Sequence, residues 1–140
     1  MFRIATLLVL LCVGYLTAEK PVVHLDSEKM VEILPQVIQC VAETGVNIEA
    51  LEKLRLGVPG EIKDPNLPKF AHCAFLKTGY SHENGRAKVD KVLKLFPAGD
   101  YKAALKKHVQ ECDNDGKDPV DTTYQFLKCL YMKSPVIVRF

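Results

Sequence analysis

The sequence has little excess charge and only one long apolar run. Its 19 Lys and Arg residues nearly balance its 17 Asp and Glu residues, so no electrostatic feature favours nucleic acid or an anionic membrane surface as a partner. Outside residues 4–13, no apolar run approaches the length that a membrane-spanning helix needs. We therefore expect no nucleic-acid partner and no membrane span.

The sequence also lacks the motifs of hydrolases and of metal sites. It contains neither Gly-x-Ser-x-Gly nor His-Glu-x-x-His. It has no Cys-x-x-Cys and no His pair at ligand spacing, so zinc is not expected. Residues 113–117 resemble the start of a calcium loop, but Tyr124 stands where the loop needs glutamate, and a solvated turn explains the segment better. We expect no enzymatic activity, no metal and no cofactor.

The N-terminus has the three parts of a secretory signal peptide. Arg3 precedes the apolar run, which is too short to span a bilayer, and small Ala18 suits the last position before cleavage. We expect residues 1–18 to be removed, which leaves residues 19–140 as one domain in an extracellular fluid. The alternative is a buried N-terminal helix.

Cysteine usage agrees with an extracellular location. Cys12 leaves with the signal peptide, so the mature chain keeps Cys40, Cys73, Cys112 and Cys129. Four cysteines in a secreted chain predict two disulfides, for which three pairings are open.

The clearest helical pattern lies between Asn66 and Gly79. Asn66 is a good N-cap, and Gly79 suits the position just past the C-terminal end. The apolar residues between them recur at i, i+3, i+4, i+7 and i+8 and predict one buried face: Leu67, Phe70, Ala71, Ala74 and Phe75.

Five other segments have helical spacing, and none alternates with the period of a strand. The first runs from Asp26 to Gly45, and Pro35 predicts a kink or break inside it. Its predicted buried face is Met30, Leu34, Val37, Ile38 and Val41. The other four lie near residues 47–57, 89–96, 100–112 and 118–131. The sequence therefore predicts an all-α fold, a compact bundle of six short helices.

Short helices that meet at large angles can leave an apolar cavity between them, where small-molecule sites often lie. The alternative is that the apolar stripes form a filled core and nothing more. Tyr101 and Tyr124 are the expected hydroxyl donors to a ligand. The wall residues that the stripes suggest are Leu51, Phe70, Ala71, Ala74, Phe75, Val92, Leu93, Phe96, Leu105, Val109, Tyr124 and Leu127.

Two histidines lie on the predicted helices. His108 falls within the apolar stripe of the fifth helix. It is either a core histidine with satisfied hydrogen bonds or a pH switch, a buried imidazole that titrates between about pH 5 and 7 and loosens the cavity. His72, beside Cys73, is expected at the surface.

The cysteine spacing resembles that of the insect odorant-binding protein family, of the pheromone and general odorant-binding type. Cys40, in Gln-Cys-Val-Ala-Glu-Thr-Gly, is similar to the first of the family's six cysteines. Cys73, before Ala-Phe-Leu-Lys-Thr-Gly, is similar to the third. Cys112 in Val-Gln-Glu-Cys and Cys129 in Tyr-Gln-Phe-Leu-Lys-Cys are similar to the fourth and sixth. The second and fifth positions hold Lys69 and Val120.

The resemblance implies a disulfide pairing. The family joins its first cysteine to its third, its second to its fifth and its fourth to its sixth, so the two missing cysteines are partners. This is the pattern of the C-minus subgroup, and it implies Cys40–Cys73 and Cys112–Cys129. Without the bridge between the third and sixth helices, the cavity wall should move more and select ligands less strictly.

The resemblance also implies a function. The family carries small hydrophobic molecules, such as odorants, pheromones and other semiochemicals, in an extracellular fluid. The expected partners are a small apolar or amphipathic ligand and a chemosensory receptor, and the expected state is a monomer or weak dimer. In this family the C-terminal tail can form part of the cavity wall, which here adds Val136 and Val138; the alternative is a solvated, disordered tail.

The sequence leaves two rival classes open. One is a secreted interaction protein of venom, saliva or seminal fluid, with a vestigial cavity. The other is a small secreted enzyme, for which the sequence offers no catalytic constellation.

Overall fold

The computed structural model describes residues 20–56 and 62–139. Within them the chain forms six α-helices and two short strands. In chain order these are β1 (Val22–His24), α1 (Ser27–Thr44), α2 (Ile48–Leu56), α3 (Leu67–Lys77), α4 (Val89–Lys94), α5 (Lys102–Cys112), α6 (Pro119–Lys133) and β2 (Ile137–Arg139). The predicted all-α bundle of six helices is confirmed, and the predicted signal peptide lies outside the described residues.

Local sequence signals account for most helix ends. The side chain of Asp26 accepts a hydrogen bond from the backbone N–H of Glu28 at the start of α1, and Asp118 accepts one from Asp121 at the start of α6. Gly45 ends α1 with φ +68°, a left-handed conformation that glycine adopts without strain. We expected a kink or a break at Pro35; the helix continues through it, so the chain is not broken there.

The two strands were not predicted. β1 and β2 form a parallel pair in which Val23 lies opposite Val138, and Ile137 donates a backbone hydrogen bond to the Pro21 carbonyl. Val23 and Val136 are both buried in the main core. Residues 22–24 and 137–139 thus pack against each other, and the described part of the tail is not a solvated extension.

The core has two parts. The larger cluster is built by α4, α5 and α6 with Val23 of β1 and Val136, and its fully buried side chains include Phe126, Leu105, Val92 and Val109. The smaller cluster contains Cys40, Val46, Leu67 and Phe70. Helices α3 and α6 make the most extensive helix–helix contact among the described residues, and they connect the two clusters.

Two disulfides connect neighbouring helices. Cys40–Cys73 joins α1 to α3, and Cys112–Cys129 joins α5 to α6. These are the pairs that the resemblance implies. By the loop-closure argument each stabilises the fold by about 3–4 kcal/mol.

Polar contacts hold the turn between α3 and α4 against the C-terminal end of α5. The guanidinium of Arg86 donates to both the side chain and the carbonyl of Asp113, at 3.0 Å in each case. The backbone N–H of Ala87 donates to the same carboxylate at 2.9 Å. Asp113 follows Cys112 directly, so this contact and the second disulfide fix the same corner.

No helix in the described ranges is long and apolar enough to cross a membrane.

Candidate ligand-binding pocket

A pocket of about 600 Å³ lies between α3 and α6. Each helix contributes residues at i, i+3, i+4, i+7 and i+8, the positions that share one helix face. Helix α3 supplies Leu67, Phe70, Ala71, Ala74 and Phe75, and α6 supplies Tyr124, Leu127, Lys128, Tyr131 and Met132. Leu54 of α2 and Ile62, in the segment before α3, complete the described lining.

Small side chains on α3 provide the space. Ala71 and Ala74 occupy the middle of its pocket face, where a larger residue would fill the gap to α6. The larger residues at the two ends of this face are anchored in the core: Phe70 is buried in the smaller cluster, and the ring of Phe75 lies 6.0 Å from that of Phe126. These contacts fix the two ends of the α3 wall, while the small alanines between them leave the space next to α6 unfilled.

The lining is almost entirely apolar. Its polar groups are the hydroxyls of Tyr124 and Tyr131 and the ammonium of Lys128, all on α6. Tyr131 and Met132 are 53% and 65% exposed, so this end of the pocket is open to solvent. An apolar pocket with a few polar groups at one side suits a small hydrophobic or amphipathic molecule.

Six of the predicted wall residues line this pocket. They are Phe70, Ala71, Ala74, Phe75, Tyr124 and Leu127. The structure thus brings together the whole α3 stripe and the middle of the α6 stripe.

Nine predicted wall residues do not line the pocket. Leu51 packs against the smaller cluster. Val92, Leu93, Phe96, Tyr101, Leu105, Val109, Val136 and Val138 belong to or pack against the larger one. This larger cluster contains Phe126, which lies on the opposite side of α6 from Tyr124 and Lys128. The hydroxyl of Tyr101 donates to the Pro97 carbonyl, so it is committed within the loop that precedes α5.

Sequence reasoning missed six lining residues: Leu54, Ile62, Leu67, Lys128, Tyr131 and Met132. The spacing from Tyr124 extends to Tyr131 and Met132, so this signal was present. Leu67 stood in the predicted stripe of α3. A search restricted to apolar residues excludes Lys128, and Ile62 lies outside any helical period.

The two helix-borne histidines lie outside the pocket lining. His108 is half-buried on α5, a helix that contributes no described lining residue. His72 is also half-buried rather than at the surface: its Nδ1 lies 3.1 Å from Oγ1 of Thr123. That hydroxyl donates to the Gly85 carbonyl at 3.1 Å. Because the hydroxyl has one proton, His72 Nδ1 carries the hydrogen in this arrangement.

No group of His, Cys, Asp or Glu residues in the described ranges is arranged to hold a metal ion. The Asp113–Lys117 segment instead forms hydrogen bonds within the protein. Asp113 binds Arg86, and the N–H of Lys117 donates to Asp121. The carboxylates of Asp113 and Asp121 therefore accept hydrogen bonds that order the turn between α5 and α6.

Residues 23–133 match the model of the PBP/GOBP family. Among solved structures, the chain is similar to the odorant-binding protein lmigOBP1 of Locusta migratoria, with 19% identity, a TM-score of 0.62, and 80% of this chain and 86% of that chain covered. Odorant-binding protein 4 of Chrysopa pallens has 23% identity and a TM-score of 0.61, with 79% and 92% covered. The fatty acid binding protein OBP56a from the oral disk of Phormia regina has 24% identity and a TM-score of 0.59, with 77% and 93% covered. No curated protein sequence matches the chain.

Proposed function

The chain belongs to the PBP/GOBP family, and on this premise we propose that it is an extracellular carrier that reversibly binds small hydrophobic molecules. The observation that carries the proposal is the apolar pocket of about 600 Å³ between α3 and α6. This volume lies within the range of about 300–1,000 Å³ in which small ligands are bound.

Relatives support the class of ligand. Two of the similar structures are odorant-binding proteins, and a third is a fatty acid binding protein. We therefore place the ligand among odorants, pheromones and other semiochemicals with a mostly hydrocarbon body. Two disulfides and the signal peptide proposed for residues 1–18 support secretion.

Binding would be driven by removal of apolar surface from water. A ligand that loses about 300 Å² of apolar surface gains about 7 kcal/mol, before the cost of its lost freedom is subtracted. That cost and the open end of the pocket favour micromolar affinity and rapid exchange, which suit a carrier that must release its ligand.

The first test is displacement of a fluorescent apolar probe from oxidised residues 19–140 by alcohols, esters, aldehydes and fatty acids. We expect saturable micromolar binding with competition. Ala74→Phe should fill the centre of the pocket and weaken probe binding at least tenfold. Ala103→Phe, at an exposed position on α5, is the matched control and should leave binding unchanged.

Three results would contradict the proposal. If a folded sample takes up no probe, the carrier function fails and a secreted interaction protein becomes the better interpretation. If Ala74→Phe binds the probe normally while both variants keep the wild-type melting temperature, the ligand site lies elsewhere. Hydrolysis of a generic ester by pure protein would favour the enzyme instead.

A further inference from the structure

We propose that the pocket selects amphipathic carboxylates, molecules with an apolar chain and one terminal carboxylate, and that Lys128 is the residue that recognises the charged end. This inference rests on the proposed carrier function and narrows its ligand class. It depends on the position, surroundings and unpaired charge of one side chain.

Lys128 is the sole charged residue among the twelve described lining residues. It occupies the i+4 position of the α6 face, where the matching α3 face has Ala71. Its neighbours one turn away on the same face are Tyr124 and Met132, with Tyr131 at i+3. A lysine in this setting lays its hydrocarbon stem along the apolar wall and keeps its ammonium at the water-exposed edge.

The ammonium has no anionic partner among the described residues. Their ion pairs use Lys29, Lys53, Arg55, Lys77 and Arg86 as cations. On α6 the positions three and four residues from Lys128 hold Gln125, Tyr124, Tyr131 and Met132, none of which is acidic. The charge is therefore available to a bound molecule.

The arrangement of polar and apolar groups matches one class of amphiphile. The apolar chain would lie between the α3 and α6 faces, with its terminal carboxylate beside Lys128 at the open end. The hydroxyls of Tyr124 and Tyr131 flank the ammonium along the helix and can donate to the second carboxylate oxygen. A neutral alcohol, aldehyde or ester would make the same apolar contacts but gain nothing from the charge.

The test compares ligands that differ only at the polar end. Dodecanoic acid, dodecanol and methyl dodecanoate are titrated against the probe-loaded wild-type protein at pH 7.4, below their aggregation concentrations. Because Lys128 is exposed and partly screened by solvent, we expect the acid to bind roughly fivefold more tightly than the other two. The preference should shrink as salt is added.

Two variants test whether Lys128 causes the preference for the acid. Lys128→Met keeps the stem but removes the charge, so it should abolish the preference while the Kd for dodecanol stays within about twofold of wild type. Lys106→Met removes the same charge from an exposed position on α5, outside the described lining, and should keep the preference.

The outcomes separate this inference from the carrier function. Equal affinity for acid and alcohol, or a preference that survives Lys128→Met, would overturn the role of Lys128 while probe binding still supports a carrier. Failure of the folded wild-type protein to bind any probe would overturn the carrier function first.

Discussion

Among the glycines that the structure describes, Gly85 is the one where a positive φ and a lack of space together exclude a side chain. Its φ is +89°, and an added Cβ would lie 2.2 Å from the Pro119 carbonyl oxygen. We expect Gly85→Ala to lower the free energy of unfolding by about 3 kcal/mol, through backbone strain and a clash with the start of α6. Urea denaturation would measure the loss.

Gly79 provides the matched control for Gly85. It also has a positive φ, +84°, but the nearest atom to an added Cβ is the flexible Lys91 ammonium nitrogen at 3.3 Å. Gly79→Ala should therefore cost only about 1 kcal/mol, from the backbone conformation alone. Equal losses in the two variants would show that the contact with Pro119 adds nothing.

Two carboxyl groups make the stability of the folded state depend on pH in the acidic range. The hydrogen bond from Lys77 lowers the pKa of Glu43 below its ordinary value of 4.5, and the backbone N–H of Lys117 lowers the pKa of Asp121 below 3.8. Each group binds its proton less tightly in the folded state, so each stabilises the fold above its unfolded pKa. That contribution is lost as the pH falls through the folded pKa.

We therefore expect the melting temperature to fall as the pH is lowered below about 4.5. In Asp121→Asn the decline should be shallower, because one of the groups that binds a proton on unfolding is absent. Thermal unfolding followed by circular dichroism between pH 6 and 3 measures both slopes. If the melting temperature of the wild type and of Asp121→Asn declined with pH at the same rate, Asp121 would not contribute to the acid sensitivity.

Lys128 shows what reasoning from apolar patterns misses at the scale of a single residue. The spacing of Tyr124, Leu127 and Tyr131 defines one face of α6, and Lys128 lies on that face by the same geometry. An apolar pattern treats a lysine as part of a solvated surface. Only the packing of α3 against α6 shows that this surface is the edge of a pocket.

At the scale of secondary-structure elements, α1 shows that periodicity predicts an apolar helix face but not which of its residues become buried. The pattern identified Met30, Leu34, Val37, Ile38 and Val41 as one apolar face. Val37 and Val41 do pack against the smaller cluster, but Leu34 and Ile38 are 50% and 59% exposed. Periodicity shows that a face is apolar, whereas the neighbour that covers it depends on tertiary contacts.

The strand pair was beyond local prediction for a different reason. β1 and β2 have three residues each, too few for an alternating pattern to be recognised. The backbone partner of each strand is the other strand, which is distant in sequence. The apolar tail residues were visible in the sequence, but their partner was not.

The C-terminal segment should stabilise the fold without shaping the pocket. Val136 is 3% exposed in the main core, and β2 pairs with β1, yet neither is in the described lining. Val136→Ala should cost about 2 kcal/mol, and removal of residues 134–140 about 3–5 kcal/mol. Probe affinity should change less than twofold in any variant that remains folded.

Parallel urea denaturation and probe titration would separate the two effects. A tail variant that stays folded but binds the probe tenfold more weakly would show that the tail acts on the pocket. That result would support the expectation, implied by the family resemblance, that the C-terminal tail forms part of the cavity wall.

At the scale of the whole molecule, neither disulfide of the described residues joins α3 to α6 across the pocket. Lys69 on α3 and Val120 on α6 occupy the positions where the resemblance places the missing cysteines. We expect Lys69→Cys combined with Val120→Cys to form a third bridge, because these two helices pack together. The bridge should stabilise the fold by about 2–4 kcal/mol and raise the melting temperature by roughly 5–15 °C.

Thiol titration and thermal unfolding of the double variant test this expectation. Each single variant should retain one free thiol and the wild-type melting temperature within a few degrees. Two persistently free thiols in the double variant would contradict the alignment of Lys69 and Val120 with the missing pair. A bridged variant should also bind a narrower range of ligands than the wild type.

The placement of the two disulfides determines whether the fragments stay covalently joined after a single proteolytic cleavage. The loops closed by Cys40–Cys73 and Cys112–Cys129 do not overlap in sequence, so one cleavage between residues 73 and 112 leaves two fragments that no covalent bond connects. The exposed turn at His82–Asn84 offers such a site. The first fragment would carry β1 and α1–α3, and the second α4–α6 and β2. A ligand between α3 and α6 would touch both, and by mass action it would hold the severed halves together.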